Sequence, residues 1–394
     1  MSQSILFVHH GSIDGGAPFS MLYTMQLARD LGYKPSVLLL MPSPELYRLY
    51  EDEGFPVHEL LGIAQWYYLS AATMSWKRPG TYKHLAKLLF QWNPSKRIFQ
   101  QFLSLHSFDI VHLNSVVLIN LAISMKENHQ QYVWHVREFC PSQDSWIKRF
   151  FRRNLQQTDE LIFLGRAEQV SWLGNDTQGT VIHNFVPTDR FNDSVDGRSK
   201  RLELGLADST PMLLFVGGIR KHKGGLTFLT ALQQIRREHP ELEFVACLPG
   251  ALADDPALGE PVLRLIDEHG LSDVCRPEPF RTNINEYFAA CDLLCFPSEM
   301  PHFARPVVEA AALSKPVVIS DIPPMTDYVN PGHDAYVCRQ GDANSLAEQI
   351  IAALSDRERM AEMGKRLHES FQVQFSPEAQ SEKLGQVYRR LLSK

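Results

Sequence analysis

The sequence predicts an α/β protein built from two parallel-sheet domains. Short apolar runs rich in Val, Ile and Leu recur along the chain, as strands buried on both faces require. Several of these runs end in a Gly-rich or polar loop and lead into a pattern of helical period, which is the βαβ rhythm. The chain of 394 residues is also long for one hydrophobic core, and the rhythm restarts near its middle.

Composition bounds the function classes. Apolar residues make up 44% and charged residues 21%, as in an ordinary globular chain. The formal charge of −6 argues against a nucleic-acid partner, which selects for a basic surface. Cysteines stand at 140, 247, 275, 291, 295 and 338 without a Cys-x-x-Cys pair or a histidine at zinc spacing, so buried, reduced thiols are expected. The first ten residues carry no basic segment, and no run approaches the roughly 18 apolar residues that span a bilayer, so a cytoplasmic chain is expected.

Taken in order, residues 5–9 form a strand, residues 11–17 a glycine loop holding Gly15 and Gly16, and residues 37–40 the next strand. The glycines would let backbone approach a sugar or phosphate, although a tight βα turn with no ligand reads the same. Residues 60–108 contain no Asp or Glu but interleave Lys77, Arg78, Lys83, Lys87, Lys96 and Arg97 with Trp66, Tyr67, Tyr68, Trp76, Tyr82, Phe90 and Trp92. Together with the basic stretch 146–153, this pattern suits the anionic inner face of a membrane. It equally suits helices with a packed aromatic face. Strands are expected at 109–115 and 132–138, the second ending in His135, Arg137 and Glu138, which could orient a substrate. Residues 192–210, polar and poor in large apolar side chains, are the expected linker.

The second half opens with a strand at 212–216 and the loop Gly217-Gly-Ile-Arg-Lys-His-Lys-Gly-Gly225. Arg220, Lys221 and Lys223 bring positive charge to a place where backbone N–H groups converge, which suits a diphosphate. Solvated loop lysines are the plainer alternative. The stretch from Cys291 to Ala312 reads as strand, polar loop and helix, with Pro306 in the first helical turn and Glu309 expected to project from that turn beside anion-favouring N–H groups. Further strands are expected at 243–246 and 316–319, and helices at 345–354 and 377–392.

These segments together resemble retaining glycosyltransferase family 4, whose GT-B fold sets two Rossmann-like domains across a central cleft. Val181-Ile-His-Asn-Phe-Val-Pro-Thr-Asp-Arg-Phe191 is similar to its interdomain signature, and Leu214-Phe-Val-Gly-Gly-Ile-Arg-Lys-His-Lys-Gly224 to its phosphate loop. Residues 296–310, followed by Lys315-Pro-Val-Val-Ile-Ser-Asp321, resemble the donor-site segment, and Gly341-Asp342 a Gly-Asp pair near the end. The resemblance implies an acceptor domain over 1–190, a nucleotide-sugar domain over 191–375, and a final helix over 376–394 that returns to the first domain.

By the same resemblance, Lys223 meets the donor diphosphate, Glu309 the ribose, and Phe303, Ala304 and Arg305 the sugar and diphosphate. Gly217 and Gly218 belong to the phosphate loop, Gly16 approaches the reaction centre, and His135 lies near the donor sugar, with Gly15, Arg137 and Glu138 on the acceptor side. Two positions depart from the pattern. The family's loop Arg is Gly218, for which Arg220 or Lys221 is the expected substitute, and its first Glu is Pro301. The implied reaction moves a sugar from a UDP- or GDP-linked donor to a glycan or lipid-linked acceptor, without a metal, since no Asp-x-Asp occurs. Gly218 and Pro301 motivate the alternative of a non-catalytic nucleotide-sugar-binding relative.

Overall fold

The computed structural model describes residues 2–11, 13, 16–66, 79–140, 146–188, 190–252, 256–281 and 283–393. The chain divides into two compact units, Met1–Phe185 with Pro377–Lys394, and Val186–Ser376. The divisions fall at 185/186 and 376/377, where 190/191 and 375/376 were expected.

In the first unit, β1 (Ser4–His9), β2 (Lys34–Leu39), β3 (Val57–Glu59), β4 (Ile110–Leu113), β5 (Tyr132–Val136), β6 (Glu160–Phe163) and β7 (Thr180–Val181) form one sheet. Its order is β3-β2-β1-β4-β5-β6-β7, and the strands pair in parallel. Leu6 and Val8 enter one core while Ile5 and Phe7 enter another. Successive side chains of a strand point to opposite faces, so two buried faces demand an unbroken apolar run. The order reverses around β1, whose neighbours β2 and β4 are reached by connections in opposite directions. Such a switch point leaves a crevice at the carboxyl ends of the strands.

Helix α1 (Ala17–Asp30) covers one face of that sheet, followed by α2 (Pro44–Glu51). Helix α3 (Pro79–Leu105) carries Leu88, Ser95, Phe99 and Phe102 as a buried stripe at helical spacing. Trp66 packs against Trp92 of α3 and against Phe150 and Phe151 of α5 (Trp146–Gln156), so these aromatics of the acid-free and basic stretches belong to a core. Phe90 is 82% exposed, Leu89 80% and Trp146 59%, and these face solvent. Tyr67, Tyr68, Trp76, Lys77 and Arg78 lie outside the described residues. Helices α4 (Ile119–Glu127) and α6 (Arg166–Leu173) complete the chain before the crossing into the second unit.

The second unit begins with α7 (Gly197–Glu203), which corrects the reading of 192–210 as a linker. This helix is anchored by charge rather than by apolar side chains, so its polar composition concealed it. Arg201 donates to the carbonyls of Ala290, Ala207 and Thr210 and pairs with Asp292 at 3.0 Å. The sheet contains β8 (Met212–Leu214), β9 (Val245–Pro249), β10 (Cys275–Glu278), β11 (Leu293–Phe296), β12 (Val317–Ser320) and β13 (Tyr336–Cys338). The order is β10-β9-β8-β11-β12-β13, again parallel, with a switch between β8 and β11. Helices α8 (Gly225–Glu238), α9 (Pro256–Glu268), α10 (Ile284–Ala290), α11 (Arg305–Ala312), α12 (Ala343–Ser355) and α13 (Arg357–Phe375) surround it.

The last helix, α14 (Pro377–Leu392), packs in the first unit. Leu384, Val387, Tyr388 and Leu391 join the core that holds Met21, Met25 and Ile5. The Gln380 amide oxygen accepts from the His183 N–H at 2.9 Å, and Arg390 pairs with Glu160 at 2.9 Å. All six cysteines are buried, and none is in a disulfide. No helix among the described residues is long and apolar enough to cross a membrane.

Candidate functional site

The candidate residues fall into two groups, one at the carboxyl edge of each sheet. In the second unit the loops after β8 and β11 bound the switch point and are tied together. Ser298 Oγ donates to the His222 carbonyl at 3.0 Å, and the Glu299 N–H reaches the same carbonyl at 3.1 Å. Thr227 Oγ1 donates to Glu299 Oε1 at 2.7 Å. Gly224 sits at φ +75°, and a Cβ there would lie 1.8 Å from the Pro297 carbonyl oxygen, so only glycine lets these loops meet.

That union carries Lys223 to the mouth of the crevice. Its Nζ lies 2.8 Å from Nε2 of His302. The other ring nitrogen of His302 lies 2.8 Å from the Met300 carbonyl, which can only accept. The hydrogen therefore sits on Nδ1, and the bare Nε2 accepts from the ammonium. Burial, aided by Arg220, pushes Lys223 down to about 8, and burial with the Lys223 charge pushes His302 down to about 4. Gly218 stands at φ +74°, and a Cβ on it would lie 3.9 Å from Arg220 Nε. The guanidinium of Arg220 thus borders the position where the family pattern has an Arg.

The start of α11 differs from the expectation in two respects. The helix begins at Arg305, so Glu309 lies beyond the first turn and reaches back to Arg305 Nε at 2.8 Å. Burial raises the Glu309 carboxyl above its ordinary range, while the Arg305 and Arg190 charges act in the opposite direction. The expected anion-binding N–H groups are also largely engaged: Arg305 N–H bonds the Phe303 carbonyl and Val307 N–H that of Ala304, while Pro306 has none. Phe303 is buried against Tyr328 and Phe375, and Ala304 is the fully buried residue before the helix. Asp342 caps α12 through the Ser345 N–H at 3.0 Å, a structural role for the Gly-Asp pair.

In the first unit, the ends of β4 and β5 hold a buried polar network. Arg137 donates through Nε to Asn114 Oδ1 at 2.5 Å and through Nη1 to Asn184 Oδ1 at 2.9 Å, while its Nη2 is shut from solvent and unpartnered among the described residues. Burial lowers this guanidinium to about 10, against the opposing pull of Glu138. The oxygens of Glu138, which the resemblance sets on the acceptor side, take the Ser115 hydroxyl and the N–H groups of Val116 and Arg137. It pins the β4 and β5 loops to each other. His135 is buried, with Nδ1 3.1 Å from His112 Nε2 and with Nε2 unpartnered among the described residues. Burial, then the Arg137 and His112 charges, hold it well below the ordinary histidine range. Gly16 precedes α1 with φ −85°, a conformation open to any residue, and Gly15 lies outside the described residues. Among the described residues no group of three His, Cys, Asp or Glu side chains is placed to hold a metal ion.

Residues 197–369, which lie within the second unit, match the family model described as glycosyl transferases group 1. The second unit is a group 1 glycosyl transferase domain. The N-acetyl-alpha-D-glucosaminyl L-malate synthase of Bacillus anthracis is 26% identical over 210 residues, 53% of this chain and 52% of that protein. The lipopolysaccharide core biosynthesis glycosyltransferase LpsE of Rhizobium meliloti is 29% identical over 235 residues, 58% of this chain and 62% of that protein. In its matches the chain spans about half the length of such curated relatives. Among solved structures, Anabaena Alr3699/HepE in complex with UDP aligns with a TM-score of 0.78 and 21% identity, covering 100% of both chains. A glycosyltransferase from Rickettsia africae aligns at 0.81 and 16%, over 100% of this chain and 99% of that one. The fold of the two units is GT-B.

The group 1 domain thus contains Gly217, Gly218, Arg220, Lys223, Phe303, Ala304, Arg305 and Glu309, whereas His135, Arg137 and Glu138 belong to the other unit. Residue patterns did not single out His302, although it directly follows the substituted Pro301. Nor did they single out Asn114, Asn184, His112 and Tyr388. Of these, Asn184 stood inside the interdomain signature, His112 and Asn114 inside the strand expected at 109–115, and Tyr388 inside the helix expected at 377–392, but no role was given to any of them.

Proposed function

We propose that the chain is a retaining, metal-independent glycosyltransferase that moves a hexosyl or pentosyl group from a nucleoside diphosphate sugar to a glycan or lipid-linked acceptor. The observation that carries this reading is Lys223, held by glycine-shaped loops beside Arg220 at the switch point of the group 1 domain. Two cations there neutralise charge that builds on a departing diphosphate. UDP is the favoured nucleotide, because UDP and UDP-glucose are bound in the Alr3699/HepE structures of like fold. Glu309, buried and backed by Arg305, is the proposed ribose ligand, with Phe303 and Ala304 lining the sugar side. His135 and Arg137 supply the first unit's polar contacts to the sugar and acceptor. The leaving phosphate takes the acceptor proton, so no side chain acts as nucleophile.

The test is calorimetric binding of a nucleotide and nucleotide-sugar panel, coupled to release of nucleoside diphosphate. Lys223→Ala and Glu309→Ala are each expected to weaken binding about tenfold or more, which is roughly 1.4 kcal/mol. A wild-type chain that binds no nucleotide would favour the second reading, a non-catalytic relative, for which Gly218 and Pro301 speak.

The exposed Leu89, Phe90 and Trp146 on two basic helices support docking of a cytoplasmic chain on an anionic membrane face. A Lys87→Glu, Arg149→Glu protein is expected to leave phosphatidylserine vesicles that retain the wild type. Equal retention would rule this docking out.

A further inference from the structure

The polar network of the first unit contains a chain of three side chains from three distant parts of the sequence. Tyr388 of α14 places its hydroxyl 2.8 Å from His112 Nδ1, and His112 Nε2 lies 3.1 Å from His135 Nδ1. All three residues are buried. The His112 ring stacks on Phe7 with centroids 4.6 Å apart and planes 20° apart, and stands edge-on to Tyr388, which holds it against rotation. The chain ends at His135 Nε2, a buried nitrogen without a partner among the described residues.

Each neutral imidazole carries one hydrogen, so only two orders of protons satisfy both inner contacts. In the first, Tyr388 donates to His112 Nδ1, His112 donates from Nε2 to His135 Nδ1, and the hydrogen of His135 lies on Nε2. In the second, His135 donates from Nδ1 to His112, and His112 donates from Nδ1 to the Tyr388 oxygen. The hydroxyl hydrogen of Tyr388 then points into the core, and no second partner of that hydroxyl is found among the described residues. Each order leaves one buried donor unmade, this hydroxyl or the Nε2–H of His135. A phenol is the stronger donor and an imidazole nitrogen the stronger acceptor, however, so the O–H to N contact of the first order is the better one. Neutrality itself is secured by burial and by the Arg137 charge, which hold His112 down to about 3 and His135 well below its ordinary range.

We propose that Tyr388 and His112 are positioning residues that order the protons toward His135, so that His135 presents an Nε2–H donor to an oxygen of the bound substrate. A buried, unpartnered N–H calls for an acceptor, and a sugar hydroxyl or a phosphate oxygen supplies one. That choice of ligand rests on the transfer reading given above, whereas the tautomer does not. The arrangement makes α14 part of the working site: the end of the chain sets the hydrogen-bonding sense of a strand-end histidine. The logic is that of any histidine whose tautomer is set by the partner of its other nitrogen.

The test uses the full chain labelled with 15N in its histidines, with the His135 resonances assigned by a His135→Gln protein. Long-range 1H–15N correlation in the wild type is expected to give a protonated Nε2 and a bare Nδ1 for His135. Tyr388→Phe keeps the ring and its packing but removes the terminal donor. It is expected to mix the two His135 tautomers and to lower kcat about tenfold or more, with the donor KM changed less than about threefold. His112→Gln, which keeps an amide N–H for His135 Nδ1, is expected to retain the wild-type tautomer, and His112→Leu to lose it. A wild-type His135 protonated on Nδ1, or a tautomer untouched by Tyr388→Phe, would overturn the relay. A correct tautomer in a wild type that turns over no nucleotide sugar would leave the relay standing and remove the transfer reading instead.

Discussion

The two strand-edge sites are built by opposite means. In the group 1 domain, a cation is brought forward by two short loops whose glycines allow close approach, and its immediate partner is a single neutral histidine. In the first unit, one buried guanidinium is held by two amide oxygens, and two neutral imidazoles run from the same strand end toward α14. The first arrangement suits a strongly charged ligand group that changes charge during reaction. The second suits oriented hydrogen bonds to hydroxyls, where direction matters more than charge. The lesson is that position in the fold, at the carboxyl edge of a parallel sheet, is shared, while the chemistry depends on what the loops can carry.

That contrast can be broken most severely at Gly224. Gly224→Ala forces a left-handed backbone and a Cβ onto the Pro297 carbonyl, so a loss of about 3 kcal/mol or more is expected in the unfolding of the second unit. Urea denaturation followed by circular dichroism reads it. An unchanged midpoint would mean that the two loops are not locked together.

A smaller effect separates the two sites by pH. Lys223, near 8 in the free protein, is already charged below that value, so diphosphate binding needs no added proton there. Above it, binding draws a proton onto the amine, and affinity falls as pH rises. Between pH 7 and 9 the expected loss is about tenfold, with proton uptake visible by calorimetry in buffers of different ionisation enthalpy. The first unit offers no counterpart in this window, since His112 sits near 3 and His135 well below its ordinary range. An affinity flat from pH 7 to 9 would remove Lys223 from the diphosphate.

The smallest effect sharpens the account of α14. Arg390 is about half exposed but its partner Glu160 is buried, so Arg390→Gln, whose amide can still donate to that carboxylate, is expected to cost about 1 kcal/mol. Thermal unfolding should show the helix held by Leu384, Val387, Tyr388 and Leu391 rather than by this ion pair. A loss well above that size would reverse the assignment.

What could be read along the chain was local. The central strands announced themselves because a strand buried on both faces must be apolar throughout, whereas the partly buried edge strands β3, β10 and β13 did not. The loop after β8 stood out because glycines and cations crowd into one short stretch. Helix α7 escaped notice because buried Arg201 and its carbonyl partners anchor it, and charged residues read as solvent-facing. The turn of α11 from which Glu309 projects depended on where the helix starts, at Arg305, and neighbouring residues do not determine that step.

By itself, then, the sequence determined two parallel α/β sheets, the loops at their carboxyl edges and the cation in one of them. Each follows from residues within a few positions of each other. Tertiary structure alone decided the partners: His302 for Lys223, Asn114 and Asn184 for Arg137, and Tyr388 for a histidine 276 residues earlier. Hydrogen bonds between side chains so far apart leave no period or spacing in the chain. They exist because the sheet order and the return of α14 bring buried donors and acceptors within about 3 Å, where each must find a partner once water is gone.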